Sequence, residues 1–172
     1  MGLSVAEIFD HINRFANQEV ILKEEGPDPS ISITAYEFSS VMRYLKEVRE
    51  MDFDTLMSQT AVHIDDTLVM YWHLFSYSHR HKVVIECALP FDDLSIDSVT
   101  TLWKSADWLE RETFDLFGVD FKGHPDLRRL LLPEDWVGYP LRKDYQTPML
   151  YGGMDNTPSE ISQSFKPPKK ER

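Results

Sequence analysis

Leu68-Val69-Met70-Tyr71-Trp72-His73-Leu74-Phe75-Ser76-Tyr77, then Ser78-His79-Arg80-His81, then Lys82-Val83-Val84-Ile85-Glu86-Cys87-Ala88-Leu89, is the stretch on which the reading of this 172-residue sequence turns. Both flanking runs are rich in β-branched and aromatic residues, which suit a pleated, half-buried surface. Four polar residues between them predict a hairpin whose tip carries the histidines and the arginine. A further run of strand character, residues 56–64, precedes it. Upstream, Val5, Ile8, Phe9, Ile12 and Phe15 recur at steps of three and four and predict a helix over 4–16. Glu19 to Leu22 reads as a short strand, Gly26-Pro27-Asp28-Pro29 as a turn and Ile31 to Thr34 as a second strand. Phe38, Val41, Met42, Leu45 and Val48 then mark a helix over 36–49. A third helix is expected to start at Ser95 or Asp97, either able to cap it, and to run to Phe117, where Gly118 supplies the left-handed stop. Helix, two strands, helix, antiparallel strands, helix is the order of an α+β domain, with helices packed on a mainly antiparallel sheet.

Beyond Gly118 the periodicity ends. Gly123, Pro125, Pro133, Gly138 and Pro140 interrupt every few residues, so neither long helices nor long strands fit. The stretch nevertheless holds Phe121, Leu127, Leu130, Leu131, Leu132, Trp136, Tyr139 and Leu141, which must be buried against the domain or a partner. From Thr147 the sequence turns polar and ends with Lys169-Lys170, so an extended or disordered tail that orders on a partner is expected. The organisation is therefore a globular domain over 1–118, an irregular docking segment over 119–146 and a tail over 147–172.

The net charge is −11, with 22 acidic and 9 basic residues in 1–120 against 7 acidic and 9 basic in 121–172. A nucleic-acid surface needs clustered cations and is excluded; an acidic body carrying a slightly basic docking arm fits the split. No run approaches the roughly 18 to 20 apolar residues of a membrane span, and the start lacks the layout of a secretory signal, so a soluble chain is expected. The single cysteine, Cys87, lies in an apolar run and reads as a buried small residue. It allows neither an intrachain disulfide nor a cysteine-ligated cluster from this chain alone.

Histidine is the first candidate for metal or acid–base chemistry. His73, His79 and His81 share one hairpin but have no carboxylate or cysteine at ligand spacing, so a solvated turn is the reading. His124 stands two residues from Asp126 in a loop rich in breakers, where a structural hydrogen bond is expected. A free-standing hydrolase or metal enzyme using His124 with Glu112 or Asp126 would lack both a nucleophile and a ligand set. The richest constellation is Glu110-Arg111-Glu112-Thr113-Phe114-Asp115-Leu116-Phe117-Gly118. On a helix Asp107, Arg111 and Asp115 fall on one face, so the charges form either a solvated ion-pair ladder or half of a network. In the second arrangement Arg128, Arg129, Arg142 and Lys143 lie back across the helix, with arginine bidentate on Glu110 or Glu112.

The string from Glu110 to Gly118, with Phe121-Lys122-Gly123-His124-Pro125-Asp126-Leu127-Arg128-Arg129-Leu130-Leu131 and then Tyr139-Pro140-Leu141-Arg142-Lys143-Asp144-Tyr145, resembles the paired motifs of the C-subunit family of bacterial respiratory complex I. Tyr139 stands where that family's pattern has histidine. The resemblance implies a peripheral-arm subunit of a proton-pumping NADH:quinone oxidoreductase on the cytoplasmic face of the inner membrane, docked beside the D-subunit and the iron–sulfur B-subunit. It implies no cofactor in this chain, the flavin and clusters being carried by partner subunits, and no catalysis by the chain alone. A homologous subunit of a membrane-bound hydrogenase or ferredoxin-linked quinone reductase would share the motifs. Glu110, Arg111, Glu112, Asp115, His124, Asp126, Arg128, Arg129, Arg142, Lys143 and Asp144 are then expected to shape the docking surface.

Overall fold

The computed structural model describes residues 2–25 and 28–156. Helix α1, Val5–Phe15, starts from a reciprocal cap in which the Ser4 hydroxyl accepts from the Glu7 N–H while Glu7 accepts from the Ser4 N–H, and it buries Ile8 and Ile12. Strands β1 (Ile21–Lys23) and β2 (Ser30–Ser32) follow, then α2, Ala35–Glu47, capped by Thr34 and burying Phe38, Val41, Met42 and Leu45. Three ten-residue strands, β3 (Thr55–Ile64), β4 (Thr67–Ser76) and β5 (His81–Pro90), form an antiparallel meander. In the complete sheet the order is β1-β2-β5-β4-β3, and the parallel β2–β5 pair is its one departure from antiparallel pairing. The α+β class and the hairpin read from the sequence are both present.

Two aromatic side chains centre the core: Phe38 of α2 meets Trp72 of β4 with ring centroids 4.4 Å apart, and both are fully buried. The Trp72 indole N–H donates to the Gln59 carbonyl oxygen at 3.1 Å, and the Gln59 amide donates to the Thr113 hydroxyl at 3.4 Å. This buried relay carries the sheet's polar groups across to the third helix without leaving one unsatisfied. Cys87 is buried as expected, and burial, with the neighbouring Glu86 charge, pushes its thiol up to about 12. A thiol so held is inert.

The third helix corrects the reading. Strand β6 occupies Ser95–Asp97, and α3 runs only over Ala106–Phe117, so neither Ser95 nor Asp97 caps it. The helical spacing of Val99, Trp103 and Ala106 is produced by successive turns, with Trp103 N–H donating to Val99 O at 2.9 Å and Ala106 N–H to Trp103 O at 3.1 Å. These turns drop Trp103 into the core, where its indole donates to Phe53 O at 2.9 Å. Gly118 ends α3 in the left-handed region, φ 76°. Strand β7, Asp120–Lys122, then pairs in parallel with β6, burying Val119 and Phe121 in the domain core. The irregular stretch therefore begins after Lys122. Residues 150–155 form a small hairpin of β8 (Leu150–Tyr151) and β9 (Met154–Asp155) rather than an extended tail; residues 157–172, the rest of that expectation, lie outside the described residues.

The solvated-turn reading also fails for His81, whose ring is buried against Phe53 at 4.7 Å. Leu3 N–H donates to its Nδ1 at 3.2 Å, leaving the ring proton on Nε2, which donates to Met51 O at 2.6 Å. Gln59→Leu would strand the Trp72 indole in the core, and a loss of about 1–3 kcal/mol is expected. Urea unfolding checks it: the midpoint falls while the denaturant slope stays unchanged.

Candidate docking surface

The last two turns of α3 gather the irregular segment. Asp115 is fully buried, a position a carboxylate tolerates only when saturated with donors. Its Oδ2 accepts the consecutive backbone N–H groups of Leu130 (3.1 Å), Leu131 (2.7 Å) and Leu132 (2.8 Å), and its Oδ1 accepts from the Arg129 guanidinium at 2.7 Å. Successive amides converging on one oxygen make an anion nest from a stretch with no regular structure. Burial pushes the Asp115 carboxyl up, but the Leu132 N–H, the Arg129 guanidinium and the two other amides outweigh it and hold the group below the usual carboxylate range.

Three arginines complete the clamp. Arg129 also donates to Trp136 O at 2.9 Å and Gly138 O at 3.2 Å, fixing the far side of the loop. Arg111, largely buried, donates to Arg128 O and Arg129 O at 3.3 Å each and lies 5.9 Å from the Trp108 ring centroid. Arg142 donates to the α3 terminal carbonyls of Phe117 and Gly118, covering orphan acceptors. Tyr139 is the aromatic plate beneath this arrangement, 4.5 Å from the Arg142 guanidinium and 5.6 Å from that of Arg129. A Cβ on Gly118 would sit 2.5 Å from both Arg142 Nη2 and the Tyr139 ring, so the glycine serves close approach as well as backbone conformation.

Of the two charge arrangements read from the sequence the ladder is absent, and the network forms with other partners: Arg129 and Arg142 lie back across the helix, but on Asp115 and the terminal carbonyls and not on Glu110 or Glu112. Asp107, Arg111 and Asp115 make no ladder, because Arg111 turns to backbone carbonyls and Asp115 to the nest. Among the described residues no arginine reaches Glu110, which accepts instead from the Ser98 hydroxyl at 2.6 Å and the Val99 N–H at 2.8 Å. Glu112 is exposed and has no ion pair among the described residues. Arg128 pairs with Asp126 at 2.8 Å on the surface, where such a pair contributes little. Lys143 contributes its backbone N–H, which donates to His63 Nδ1 at 3.0 Å, while Lys143 and Asp144 both stay exposed. His124 has the structural role expected of it: Asp126 N–H donates to its Nδ1 at 3.0 Å, and its Nε2 donates to Asp107 O at 3.2 Å.

Sequence reasoning missed Ser98, Val99 and His63. The first two act as a hydroxyl and an amide on a turn hidden inside an apparent helix, and His63 acts from the end of β3; none carries a local signal. Around the clamp Trp108, Leu131, Val137 and Leu141 are exposed, at 64%, 61%, 81% and 52%. They lie on connected elements: Arg111 joins Trp108 to the backbone beside Leu131, Arg129 ties the carbonyls on either side of Val137, and Leu141 N–H donates to Leu116 O. The arrangement presents an apolar surface on a polar scaffold, with no nucleophile–base pair in it. A groove of about 930 Å³ on the outer face of the sheet has Tyr71, His73 and Glu86 on its floor, and Glu86 is occupied by Lys23 and Ser30. Among the described residues no three His, Cys, Asp or Glu side chains form a metal-ligand set, and no helix is long and apolar enough to cross a membrane.

Residues 31–149 match the family model described as respiratory-chain NADH dehydrogenase, 30 Kd subunit. The chain belongs to this family. Among its relatives is the C-subunit of NADH-quinone oxidoreductase from Citrifermentans bemidjiense, 38% identical over 135 residues, which cover 77% of this chain and 83% of the relative. The corresponding C-subunit from Ralstonia pickettii is 37% identical over 139 residues, 75% of this chain and 70% of its own. The 30 Kd fold is shared with the trypsin-resistant fragment (1–134) of Nqo5, at TM-score 0.62 and 24% identity over 72% of this chain and all of that one. It is shared too with a chain of the membrane-bound sulfane sulfur reductase, an archaeal respiratory membrane complex, at TM-score 0.63 and 22% identity over 82% and 85% of the two chains.

Asp115→Asn would remove the negative charge from the nest while leaving Arg129 in place, and a cost of about 3–5 kcal/mol is expected. Limited proteolysis checks it: cleavage within residues 123–145 should accelerate well before the sheet unfolds.

Proposed function

We propose that this 30 Kd family member is a cofactor-free structural subunit in the peripheral arm of a proton-translocating NADH:quinone oxidoreductase. It holds neighbouring subunits in register while electrons pass from NADH to quinone through groups those neighbours carry. The family match over residues 31–149 carries the reading. The clamped segment supplies the physical means: an irregular loop held rigidly by Asp115, Arg111, Arg129 and Arg142 keeps Trp108, Leu131 and Val137 exposed in fixed positions. Preorganised apolar anchors bind with less ordering cost than mobile ones. The partners proposed for this surface are the D-subunit and the iron–sulfur B-subunit, and attachment to the cytoplasmic face of the bacterial inner membrane is then indirect, through the complex.

A second reading, a subunit of a membrane-bound hydrogenase or a ferredoxin-linked quinone reductase, draws on the shared fold of the archaeal sulfane sulfur reductase chain. At 22% identity that likeness concerns the fold alone, whereas relatives above 30% identity over most of the chain are subunits of NADH-quinone oxidoreductase.

Mass spectrometry of the complex purified through this chain tests the proposal. D- and B-type subunits of an NADH:quinone oxidoreductase are expected in stoichiometric amount; hydrogenase subunits instead, or no redox partner, would overturn it. Val137→Asp combined with Leu131→Asp should leave the isolated chain folded and cut partner recovery by about tenfold or more, as for loss of central anchors. The isolated chain should oxidise no NADH, and stoichiometric iron or zinc in it would contradict the cofactor-free reading.

A further inference from the structure

Where the segment after β7 first meets α3, three titratable groups come together away from the Asp115 clamp. Glu110 is fully buried, and its carboxyl is met by two neutral donors, the Ser98 hydroxyl and the Val99 N–H. The His124 side chain is also fully buried, its Nε2 lying 4.0 Å from Glu110 Oε2 and 3.5 Å from Asp107 Oδ1. Asp107 Oδ1 is itself buried without a hydrogen-bond partner. We propose that Glu110, His124 and Asp107 form a proton-binding site at the joint between α3 and the docking segment, and that the bound proton keeps the His124 turn seated on the helix.

Wiring decides where the proton sits. A backbone N–H has only a proton to give, so the Asp126 amide makes His124 Nδ1 an acceptor and puts the ring proton on Nε2. A second proton on His124 would break that bond. Glu110 takes a proton without such loss: a protonated Oε2 donates to Ser98 Oγ, which turns its own hydrogen to Thr100 Oγ1, 2.8 Å away. Every charge around the site has another engagement. Arg111 is spent on the carbonyls of Arg128 and Arg129, Arg128 is paired with Asp126, and Asp97 and Lys122 on β6 and β7 are exposed. The Ser98–Thr100 turn brings hydroxyls and an amide but no charge. An ionised Glu110 would thus lie buried beside Asp107 with no cation to balance it.

Burial, with a smaller contribution from the Asp107 charge, raises the Glu110 carboxyl from 4.5 to about 7 against the pull of Ser98 and Val99. Between those values the folded chain binds more protons than the unfolded one, so stability falls as pH rises through the window and levels off above it. The Asp115 contribution has the opposite sign and lies lower: it is present at neutral pH and lost on acidification below the usual aspartate range. Relief of the ionised site comes from opening the turn that covers it, so the start of the docking segment loosens toward alkaline pH.

The test uses the full chain labelled with ¹³C at glutamate carboxyls. One resonance, absent from Glu110→Gln, should titrate near neutral pH, and the melting temperature of the parent should drop on the order of 5–10 °C from pH 5 to pH 8. Glu110→Gln, which retains an acceptor for Val99 and a donor for Ser98, should lose that drop and exceed the parent at pH 8. A Glu110 midpoint near 4.5, or parallel melting profiles, would overturn the proposal. Asp107→Asn gives a second reading that keeps Glu110: its midpoint should move down, and an unchanged one would remove Asp107 from the site.

Discussion

The buried Asp115 carboxylate is the constraint on which the C-terminal part of the structure depends. Residues 123–149 contain no helix and no sheet strand, so their backbone amides need partners that regular hydrogen bonding does not provide. A single carboxylate at the end of α3 takes three of these amides, and the arginine beside them takes carbonyls from both flanks of the loop. The helix becomes the template on which an irregular chain acquires one shape. Because Thr113, two residues before Asp115, is tied through Gln59 to Trp72, that template is fixed to the sheet and not merely to its own helix.

The division of labour explains the charge pattern. Acidic residues dominate the body, yet Glu110 and Asp115 are two of its buried carboxyls, and each faces the segment that follows. The slightly basic segment answers through Arg129 at one of them, while among its other described cations Arg142 sits on backbone oxygens and Lys122, Arg128 and Lys143 lie on the surface. Guanidinium groups suit this work, since their planar fork satisfies several carbonyls at once. The apolar side chains that the clamp leaves exposed are thereby presented by rigid backbone.

Much of this is legible in the sequence where periodicity is a true signal. The stripes of α1 and α2 and the β-branched and aromatic runs of β4 and β5 announce buried elements openly, and the family motif marks the clamp's residues. The third helix shows where periodicity misleads: Val99, Trp103 and Ala106 repeat at helical spacing because consecutive turns share the helix's step. Three-residue strands such as β6 and β7 are too short to show alternation at all. The site escapes sequence reading for a related reason. Spacing can suggest which charged side chains meet, but the partners of Asp115 and Arg111 are main-chain groups, which have no letter in the sequence. The one available sign is position, since a carboxylate between Phe114 and Leu116 on a half-buried helix has to be satisfied from within.

Three of the six histidines, at 63, 81 and 124, are connected in the same way: a backbone N–H enters Nδ1, and Nε2–H leaves toward a backbone oxygen. Each ring behaves as a surrogate peptide unit, with one acceptor and one donor on opposite sides, inserted where two loops approach but no strand can pair. His81 splices the N-terminus to the chain around Met51, His124 splices the turn after β7 to α3, and His63 splices the last motif to the β3–β4 hairpin. With both nitrogens committed, these rings cannot ligate a metal or relay a proton without cutting a splice. The side chain most often associated with reactivity serves here as connective backbone.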